Sequence, residues 1–335
     1  MNKIKIYNPS ELSENINKLG RRNIPFVFII DFDCQNAFIE EIEKINPAEF
    51  LYSFDGRTNI TDLGNSNKYK QISKVTPLKI FPIKKEKYWQ AFSNVLTHIN
   101  YGDSYLLNLT FQTEIQTELT LEDIFMYSSS KCKILLPDYF VCFSPEPFVF
   151  IRDGKIMSFP MKGTISSEIE NAAKTLLEDE KELAEHYTIV DLIRNDLSIV
   201  SGNVTVDSFR YVEKIKTIKG DLLQTSSQIS GELNEHWNEI LGDILLKLLP
   251  AGSVTGAPKQ KTVEIIKEVE NYNRGFYTGI AGIYDGLSLK SYVMIRFIEK
   301  ENGKLYFKSG GGITSKSDFD KEYAELIEKI YVPIA

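Results

Sequence analysis

Residues 154–164 read Gly-Lys-Ile-Met-Ser-Phe-Pro-Met-Lys-Gly-Thr. The segment Gly154–Pro160 predicts a short strand that delivers Lys162 at its end. Two more short strands are predicted just before it, at Tyr139–Phe143 and Phe148–Arg152. After it, a long helix is predicted from about Asn171 to Asp196, because this stretch is rich in Leu, Glu, Lys and Ala and lacks Gly and Pro.

The rest of the chain continues this mixture of strands and helices. Residues 24–33, an apolar run rich in Phe and Ile, predict a buried strand, and a soft boundary is expected near residue 82. The sequence thus predicts a β-rich part, residues 1–82, and a larger part, residues 83–335. Further predicted elements are a strand at Glu49–Phe54, a loop at Gly56–Lys70, a helix at Lys84–Asn100, strands at Tyr105–Gln112 and Lys304–Lys308, a turn at Ser253–Lys261 that opens a helix through Glu270, and paired strands at Tyr277–Tyr284 and Leu287–Ile298.

Composition excludes several classes of function. The chain has 335 residues, of which 42% are hydrophobic, so it can bury a large core without metals or disulfides. Its net charge of -7, with both signs interspersed, offers no surface for nucleic acid or for a membrane. No apolar run approaches the roughly 18 residues of a membrane span, and the three cysteines lack paired or metal-ligand spacing. A cytoplasmic protein with structural cysteines is expected.

Two helical segments carry acidic residues at helical spacing. Glu178, Glu182 and Glu185 are expected on one face of the long helix, and Glu322 and Glu325 lie one turn apart in a C-terminal helix. Two such helices facing a common cleft could hold Mg²⁺, which favours oxygen ligands, water and an anionic substrate. The alternative is an ordinary solvated helix face.

Two loop-like segments are candidates for ligand binding. Gly310, Gly311 and Gly312 follow a predicted strand, so their amides could approach an anion closely, although a plain tight turn is equally compatible. The run matches neither nucleotide-binding glycine pattern, which disfavours nucleotide binding. The hydroxyls of Ser253 and Thr255 precede a helix and could bind a ligand, but capping that helix is the more common use.

Six ordered motifs with compatible spacing resemble those of the chorismate-utilising enzymes, over roughly residues 84–332. They are Ser144-Pro145-Glu146, Pro160-Met161-Lys162-Gly163-Thr164, Ala184-Glu185-His186 with Val190 to Leu197, Thr255-Gly256-Ala257-Pro258-Lys259, Gly310-Gly311-Gly312-Ile313 and Glu322-Tyr323-Ala324-Glu325.

The resemblance implies an α+β fold in which large β-sheets form a central layer wrapped by helices, with a shortened N-terminal subdomain at residues 1–82 and a chorismate-binding catalytic domain at 83–335. It implies that Glu185 and Glu325 bind Mg²⁺ directly and that Glu182 and Glu322 hold the waters of the metal. The implied substrate contacts are Thr164, Thr255, Gly256, Tyr277, Arg296, Gly310, Gly311, Gly312 and Lys329.

Lys162 separates the chemistries within this family. Enzymes resembling anthranilate synthase have Ala at this position, whereas aminodeoxychorismate synthases typically have Lys. The resemblance therefore implies that the Lys162 amine attacks ring C2 of chorismate, that the C4 hydroxyl leaves after protonation by Glu146, and that ammonia then expels the lysine. The ammonia is expected from a separate glutamine amidotransferase subunit. An ordinary turn lysine and a strand-edge salt bridge are the structural alternatives for Lys162 and Glu146.

Two positions depart from the family pattern. Leu106 stands where hydroxylating relatives have a water-activating lysine, and a leucine cannot activate water. Gln224 stands where a histidine is often found near the leaving group. His98, His186 and His236 are expected to be structural. The alternatives for the whole chain are an anthranilate synthase component I and a chorismate-binding subunit without catalytic activity.

Overall fold

The computed structural model describes residues 4–60, 78–215 and 220–332, and for Lys181 the backbone alone. The helices in these ranges are α1 Pro9–Arg21, α2 Lys85–Tyr101, α3 Leu121–Tyr127, α4 Ala172–Glu178, α5 Glu180–Ser198, α6 Leu241–Leu248, α7 Lys259–Val269 and α8 Phe319–Glu328. The strands are β1 Lys5–Ile6, β2 Phe26–Ile30, β3 Asn36–Glu41, β4 Leu51–Phe54, β5 Arg57–Thr58, β6 Lys79–Phe81, β7 Leu106–Gln116, β8 Cys132–Leu136, β9 Phe140–Ser144, β10 Pro147–Arg152, β11 Lys155–Ser158, β12 Met161–Ser166, β13 Gly202–Ile215, β14 Leu222–Glu232, β15 Gly256–Ala257, β16 Ile280–Tyr284, β17 Leu289–Val293, β18 Phe297–Glu301 and β19 Lys304–Ile313. The α+β class expected from the sequence is confirmed.

The chain forms two compact units, and it passes between them several times. The first unit comprises Met1–Glu43, Glu146–Thr255 and Arg274–Val293. The second comprises Lys44–Pro145, Gly256–Asn273 and Met294–Ala335. The boundary expected near residue 82 does not coincide with an end of either unit.

The first unit is built on one antiparallel sheet in the order β1-β3-β2-β16-β17-β10-β11-β14-β12, with β13 also paired to β14. Strand β2 lies between β3 and β16, and all of its residues are buried. Burial of both faces explains why its sequence is an unbroken apolar run instead of an alternating one. The strand predicted within residues 24–33 is therefore confirmed.

The second unit contains the other antiparallel sheet, in the order β15-β7-β19-β18-β9-β8-β4-β5, with β6 also paired to β7. Helix α3 packs on β8 and β9, and side chains from these elements form a core beside β18 and β19. Buried members of this core are Ile115, Leu121, Ile124, Phe125, Leu135, Val141, Phe143, Ile298, Phe307 and Ile330.

Most other predicted elements are confirmed with shifted ends. Helix α2 ends at Gly102, which takes the left-handed conformation expected of a glycine helix cap. The hairpin predicted around Asp285-Gly286 is present as β16 and β17, with Tyr284 opposite Leu289. Part of the predicted loop at residues 56–70 lies outside the described residues, and its first residues include β5.

The helix predicted from Asn171 to Asp196 is wrong in one respect, because it is two helices. Helix α4 ends at Glu178, Asp179 takes an extended conformation, and α5 begins at Glu180. The Asp179 carboxylate accepts a hydrogen bond from the Glu182 backbone N at 2.9 Å, so a side-chain cap starts the second helix. Glu178 is therefore not on the helix that carries Glu182 and Glu185, and it pairs with Lys174 instead.

Two of the three cysteines have the buried surroundings of structural residues, whereas Cys34 is partly exposed. Cys132 and Cys142 are fully buried, and burial raises the pKa of each thiol. Burial also raises the pKa of Cys34 to about 12.

Within the described ranges no helix is both long enough and apolar enough to span a membrane.

Candidate active site

Lys162 lies inside β12, and its amine points towards helix α5. The Lys162 Nζ is 3.4 Å from Oε2 of Glu185, and both side chains are partly buried. The expectation that Lys162 ends the preceding strand is wrong, because Phe159 and Pro160 separate β11 from β12. The Lys162 backbone carbonyl accepts a hydrogen bond from Thr225 Oγ1 in β14. The strand thus presents the amine directly beside one of the expected metal carboxylates.

Gly163 allows β12 to approach the first turn of α5 closely. Its φ is +72°, a conformation that favours glycine. A Cβ at this position would lie 3.0 Å from Glu182 Oε2 and 3.1 Å from Leu176 Cδ1. Lys162, Glu182 and Glu185 are therefore brought together within the first unit.

His186 follows Glu185 and faces the sheet instead of the lysine. Its side chain is fully buried, and Nε2 is 2.7 Å from Ser227 Oγ in β14. Burial, together with the cations Arg210 and Lys162, lowers the pKa of His186 to about 4. The imidazole is thus neutral near pH 7. The structural role expected for this histidine agrees with its position, and His98 likewise bonds Asp103 at 2.7 Å next to the end of α2.

Glu146 stands at the start of β10 and meets the loop before residue 256. Its Oε1 accepts a hydrogen bond from Ser253 Oγ at 2.6 Å. The interpretation that Ser253 or Thr255 caps the next helix is wrong. Helix α7 follows Pro258 without a side-chain cap, and Thr255 Oγ1 donates instead to the Ala251 carbonyl. Ser253 therefore orients the expected acid, a role that its sequence context did not indicate.

The other expected substrate residues of the first unit differ in exposure. Thr164 is exposed in β12 and lies opposite Gln224 of β14. Tyr277 and Thr255 are almost completely buried. Tyr277 follows a turn in which its backbone N donates to the Arg274 carbonyl, and Arg274 in turn donates to the Val254 carbonyl at 2.7 Å.

The glycines of the second unit lie in a strand, so the alternative interpretation of them as a plain tight turn is wrong. Gly310, Gly311 and Gly312 belong to β19 and pair with residues 108–110 of β7. The other edge of β19 pairs with β18 only as far as Lys308. The backbone beside the glycines is therefore left without a strand on that edge among the described strands.

Helix α8 and the residue that follows it, Lys329, place three charged side chains over Gly311. A Cβ on Gly311 would lie 3.4 Å from Glu322 Oε2, 3.8 Å from Glu325 Oε1 and 3.9 Å from Lys329 Nζ. Lys329 also pairs with Glu325 at 2.6 Å and donates to the Gly310 carbonyl at 2.8 Å. Glu322 is mostly buried and accepts a hydrogen bond from Ser317 Oγ at 2.8 Å. The absence of a side chain at Gly311 leaves room beside these groups.

The remaining expected residues of the second unit lie at strand ends. Arg296 sits between β17 and β18 with a φ of +54°, and its guanidinium lies over the Tyr331 ring at 5.0 Å. Gly256 has a φ of +140°, and a Cβ there would meet the Leu106 carbonyl oxygen. Leu106 itself is buried at the start of β7.

Carboxylate oxygens in each unit fit Mg²⁺ chemically. Glu182 and Glu185 lie on α5 of the first unit, and Glu322 and Glu325 lie on α8 of the second. No group of three or more His, Cys, Asp or Glu side chains that could hold a metal occurs in residues 4–60, 78–215 and 220–332. Because Mg²⁺ commonly takes only one or two protein carboxylates and completes its shell with water and substrate, a pair is a suitable donor set.

Comparison with known proteins gives a consistent family assignment. The profile of the family described as "chorismate binding enzyme" matches residues 55–335. The chain is 48% identical over 324 residues to the "Uncharacterized PabA-like protein" of Haemophilus influenzae, with 96% of each chain covered. It is 32% identical to aminodeoxychorismate synthase component 1 of Bacillus subtilis, covering 75% of this chain and 55% of that protein. Its fold matches the crystal structure of anthranilate synthase component I from Streptococcus pneumoniae with a TM-score of 0.68 at 22% identity, covering 93% and 84% of the two chains.

Proposed function

The chain belongs to the chorismate binding enzyme family, and from this premise we propose that it is component I of an aminodeoxychorismate synthase. The proposed reaction converts chorismate and ammonia to 4-amino-4-deoxychorismate and water, for p-aminobenzoate and folate synthesis. A relative of that name is 32% identical over three quarters of the chain, which supports this choice within the family.

The position of the Lys162 amine is the observation that carries the proposal. The amine lies 3.4 Å from a carboxylate oxygen of Glu185, and a Cβ on the next residue, Gly163, would lie 3.0 Å from Glu182 Oε2. A lysine that only decorated a turn would extend into solvent. Enzymes that resemble anthranilate synthase have alanine at this position. A partly buried amine here therefore favours the amination route through a lysine adduct.

In the proposed route, Lys162 forms a bond from Nζ to ring C2 of chorismate. Both ring double bonds shift, the C4 hydroxyl leaves as water after Glu146 gives it a proton, and the newly bonded lysine nitrogen loses a proton. Ammonia then adds at C4 and loses a proton, both double bonds shift back, and the lysine nitrogen regains a proton and leaves as the free amine. Ser253 supports this role for Glu146, because its hydroxyl donates to one carboxyl oxygen at 2.6 Å and so holds the carboxyl group in place.

The anionic substrate needs cationic and amide partners. Chorismate carries two carboxylates, and we propose that Arg296 and Tyr277 contact one of them, since a guanidinium binds a carboxylate through two parallel hydrogen bonds. The remaining proposed contacts are Thr164, Thr255, Gly256, Gly310, Gly311, Gly312 and Lys329.

We further propose that Mg²⁺ binds with the substrate. Glu185 and Glu325 would bind it directly, and Glu182 and Glu322 would hold its waters. When bound, the metal supplies positive charge that neutralises the substrate carboxylate and fixes its place. The proximity of both carboxylates to Gly311, where a Cβ would lie 3.4 Å from Glu322 Oε2 and 3.8 Å from Glu325 Oε1, supports this assignment.

Ammonia is proposed to come from a separate glutamine amidotransferase subunit, in the cytoplasm. Ammonium salts can replace that subunit in a test of this chain. The purified chain is incubated with chorismate, Mg²⁺ and ammonium, and the products are separated by chromatography. Accumulation of 4-amino-4-deoxychorismate is expected.

The same incubation distinguishes the alternatives. Fluorescent anthranilate as the sole product would identify an anthranilate synthase component I and would end the proposal. Binding of chorismate without any turnover would identify a non-catalytic subunit. In a parallel incubation without ammonium, mass spectrometry of the intact chain should detect a chorismate-derived adduct, and peptide mapping should locate it on Lys162.

A further inference from the structure

Three consecutive hydroxyl residues of β14 lie under the candidate site of the first unit. Thr225, Ser226 and Ser227 are all fully buried. Because successive side chains of a strand point to opposite faces, Thr225 and Ser227 share one face and Ser226 occupies the other. Thr225 Oγ1 donates to the Lys162 carbonyl, whereas Ser227 Oγ bonds the imidazole of His186. Side chains on one face of β14 therefore form hydrogen bonds to both β12 and α5.

Ser227 also contacts Arg210, a residue that holds the end of α4 just before α5 begins. Its Oγ accepts a hydrogen bond from the Arg210 backbone N at 2.8 Å. The guanidinium of Arg210 is buried and donates to the carbonyls of Leu176 and Leu177, at 2.8 and 2.7 Å, in the last turn of α4. The break between α4 and α5 is thus held before Asp179 by Arg210 and after it by His186.

The imidazole of His186 does not maximise the stability of the fold. Among the described residues Nδ1 of His186 has no hydrogen-bond partner, although it is buried. An unsatisfied buried polar atom destabilises the folded chain, and an apolar side chain at this position would not carry that cost. The contact to Ser227 is consequently the one polar anchor of this ring within the described part of the chain.

We propose that Ser227 is a positioning residue for Glu185. Through its hydrogen bond to His186, Ser227 fixes α5 on β14, the strand that also holds Lys162. The separation of the amine and the carboxylate is then set by two anchors that are two residues apart on β14. This inference rests on the proposed function, because it assigns a purpose to the Lys162–Glu185 pair. Removal of groups that orient a metal ligand typically lowers metal affinity about 10–100-fold.

Ser227→Ala tests the inference, with Ser226→Ala as its matched control. Ser226 is equally buried, but its Oγ donates to Glu213 of β13 at 2.8 Å. Each variant is titrated with Mg²⁺ in a calorimeter in the presence of chorismate and without ammonium. Ser227→Ala should weaken Mg²⁺ binding about tenfold, and Ser226→Ala should leave it within about twofold. Equal affinities of the two variants would overturn the inference.

A pair of substitutions at His186 guards against a loss of folding in Ser227→Ala. His186→Gln retains an amide nitrogen near the place of Nε2, whereas His186→Leu retains bulk without a hydrogen bond. Compared with the native chain, His186→Gln should retain most of the Mg²⁺ affinity and most of the adduct formation on Lys162. His186→Leu should retain neither. If both variants bind Mg²⁺ equally, the inference is wrong.

The two proposals fail in different ways. If the native chain binds Mg²⁺ with chorismate but yields anthranilate, the proposed function fails, and the comparison of Ser227→Ala with Ser226→Ala still decides the inference. If the native chain binds no Mg²⁺ in the presence of chorismate, the inference is overturned with the metal assignment.

Discussion

The amine of Lys162 in β12 lies 3.4 Å from a carboxylate oxygen of Glu185 in α5. One residue comes from a strand and the other from a helix, and they are separated by the break at Asp179 in the chain. The pair joins the proposed nucleophile to a proposed metal ligand. Charge pairing by Lys162 and its proposed bond formation with the substrate can be separated by substitution.

Lys162→Arg keeps the positive charge beside Glu185 but removes the nucleophile, because a guanidinium remains protonated. We expect Lys162→Arg and Lys162→Ala to lose kcat by similar factors, about 10³-fold or more, since loss of a covalent nucleophile removes the whole route. Initial rates of 4-amino-4-deoxychorismate formation measure this. Lys174→Ala, which removes an exposed lysine that pairs with Glu178, is the control. An arginine variant with the native rate would show that charge alone matters.

Gly163→Ala should reduce stability and Mg²⁺ binding together. Its φ of +72° disfavours alanine by about 1–2 kcal/mol, and the added Cβ would also contact Glu182 Oε2 at 3.0 Å. Gly154→Ala is a close control, because Gly154 also has a φ of +72° but has nothing within 4 Å of the Cβ position.

Urea unfolding and Mg²⁺ titration with chorismate separate the two effects of Gly163→Ala. Both alanine variants should lose stability through backbone strain, and only Gly163→Ala should bind Mg²⁺ more weakly. A loss of Mg²⁺ affinity in Gly154→Ala as well would mean that the effect comes from general destabilisation.

Local sequence predicted elements where the element's own residues decide its structure. The apolar run of β2 and the apolar spacing of α2 are such cases. The break at Asp179 escaped prediction because it depends on one side-chain cap and not on Gly or Pro. The glycines at 310–312 were interpreted as a loop because their strand structure comes from pairing with β7, which lies some 200 residues earlier in the chain.

The ordered motifs in the sequence predicted the candidate residues, but they did not predict which of these residues contact each other. Lys162 and Glu185 were both named from the sequence, whereas their direct contact depends on how β12 and α5 pack. Ser253, Thr225 and Ser227 were not predicted to support the site. A run of small hydroxyl residues at positions 225–227 in a buried strand was the available signal, since buried hydroxyls need hydrogen-bond partners.

Glu146→Gln tests the proposed acid. The amide cannot donate a proton to the departing hydroxyl, so we expect kcat to fall about 10²–10⁴-fold. Ser253→Ala leaves the carboxyl in place and removes one hydrogen bond to it, so a smaller loss, about tenfold, is expected. Adduct formation on Lys162 without ammonium should slow by the same factors. If Glu146→Gln forms the adduct at the native rate, Glu146 is not the acid.

Gly311→Ala and Gly310→Ala should have opposite consequences, although the glycines are adjacent in β19. A Cβ on Gly310 would lie 2.5 Å from Thr110 Cγ2 and 2.6 Å from the Leu109 carbonyl oxygen, so Gly310→Ala should destabilise the strand pairing. A Cβ on Gly311 would make ordinary contacts of 3.4 Å or more with Glu322, Glu325 and Lys329. Gly311→Ala should therefore fold with stability within about 1 kcal/mol of the native chain.

The methyl group of Gly311→Ala would occupy the space beside the two carboxylates and the lysine, where we expect substrate and Mg²⁺ to bind. Affinity for chorismate in the presence of Mg²⁺ should fall at least about tenfold, because a steric block in a binding site costs more than the contact it replaces. Calorimetric titration of chorismate, with urea unfolding of the same sample, measures both quantities. If Gly311→Ala binds chorismate as the native chain does, these residues of α8 and β19 do not face the substrate.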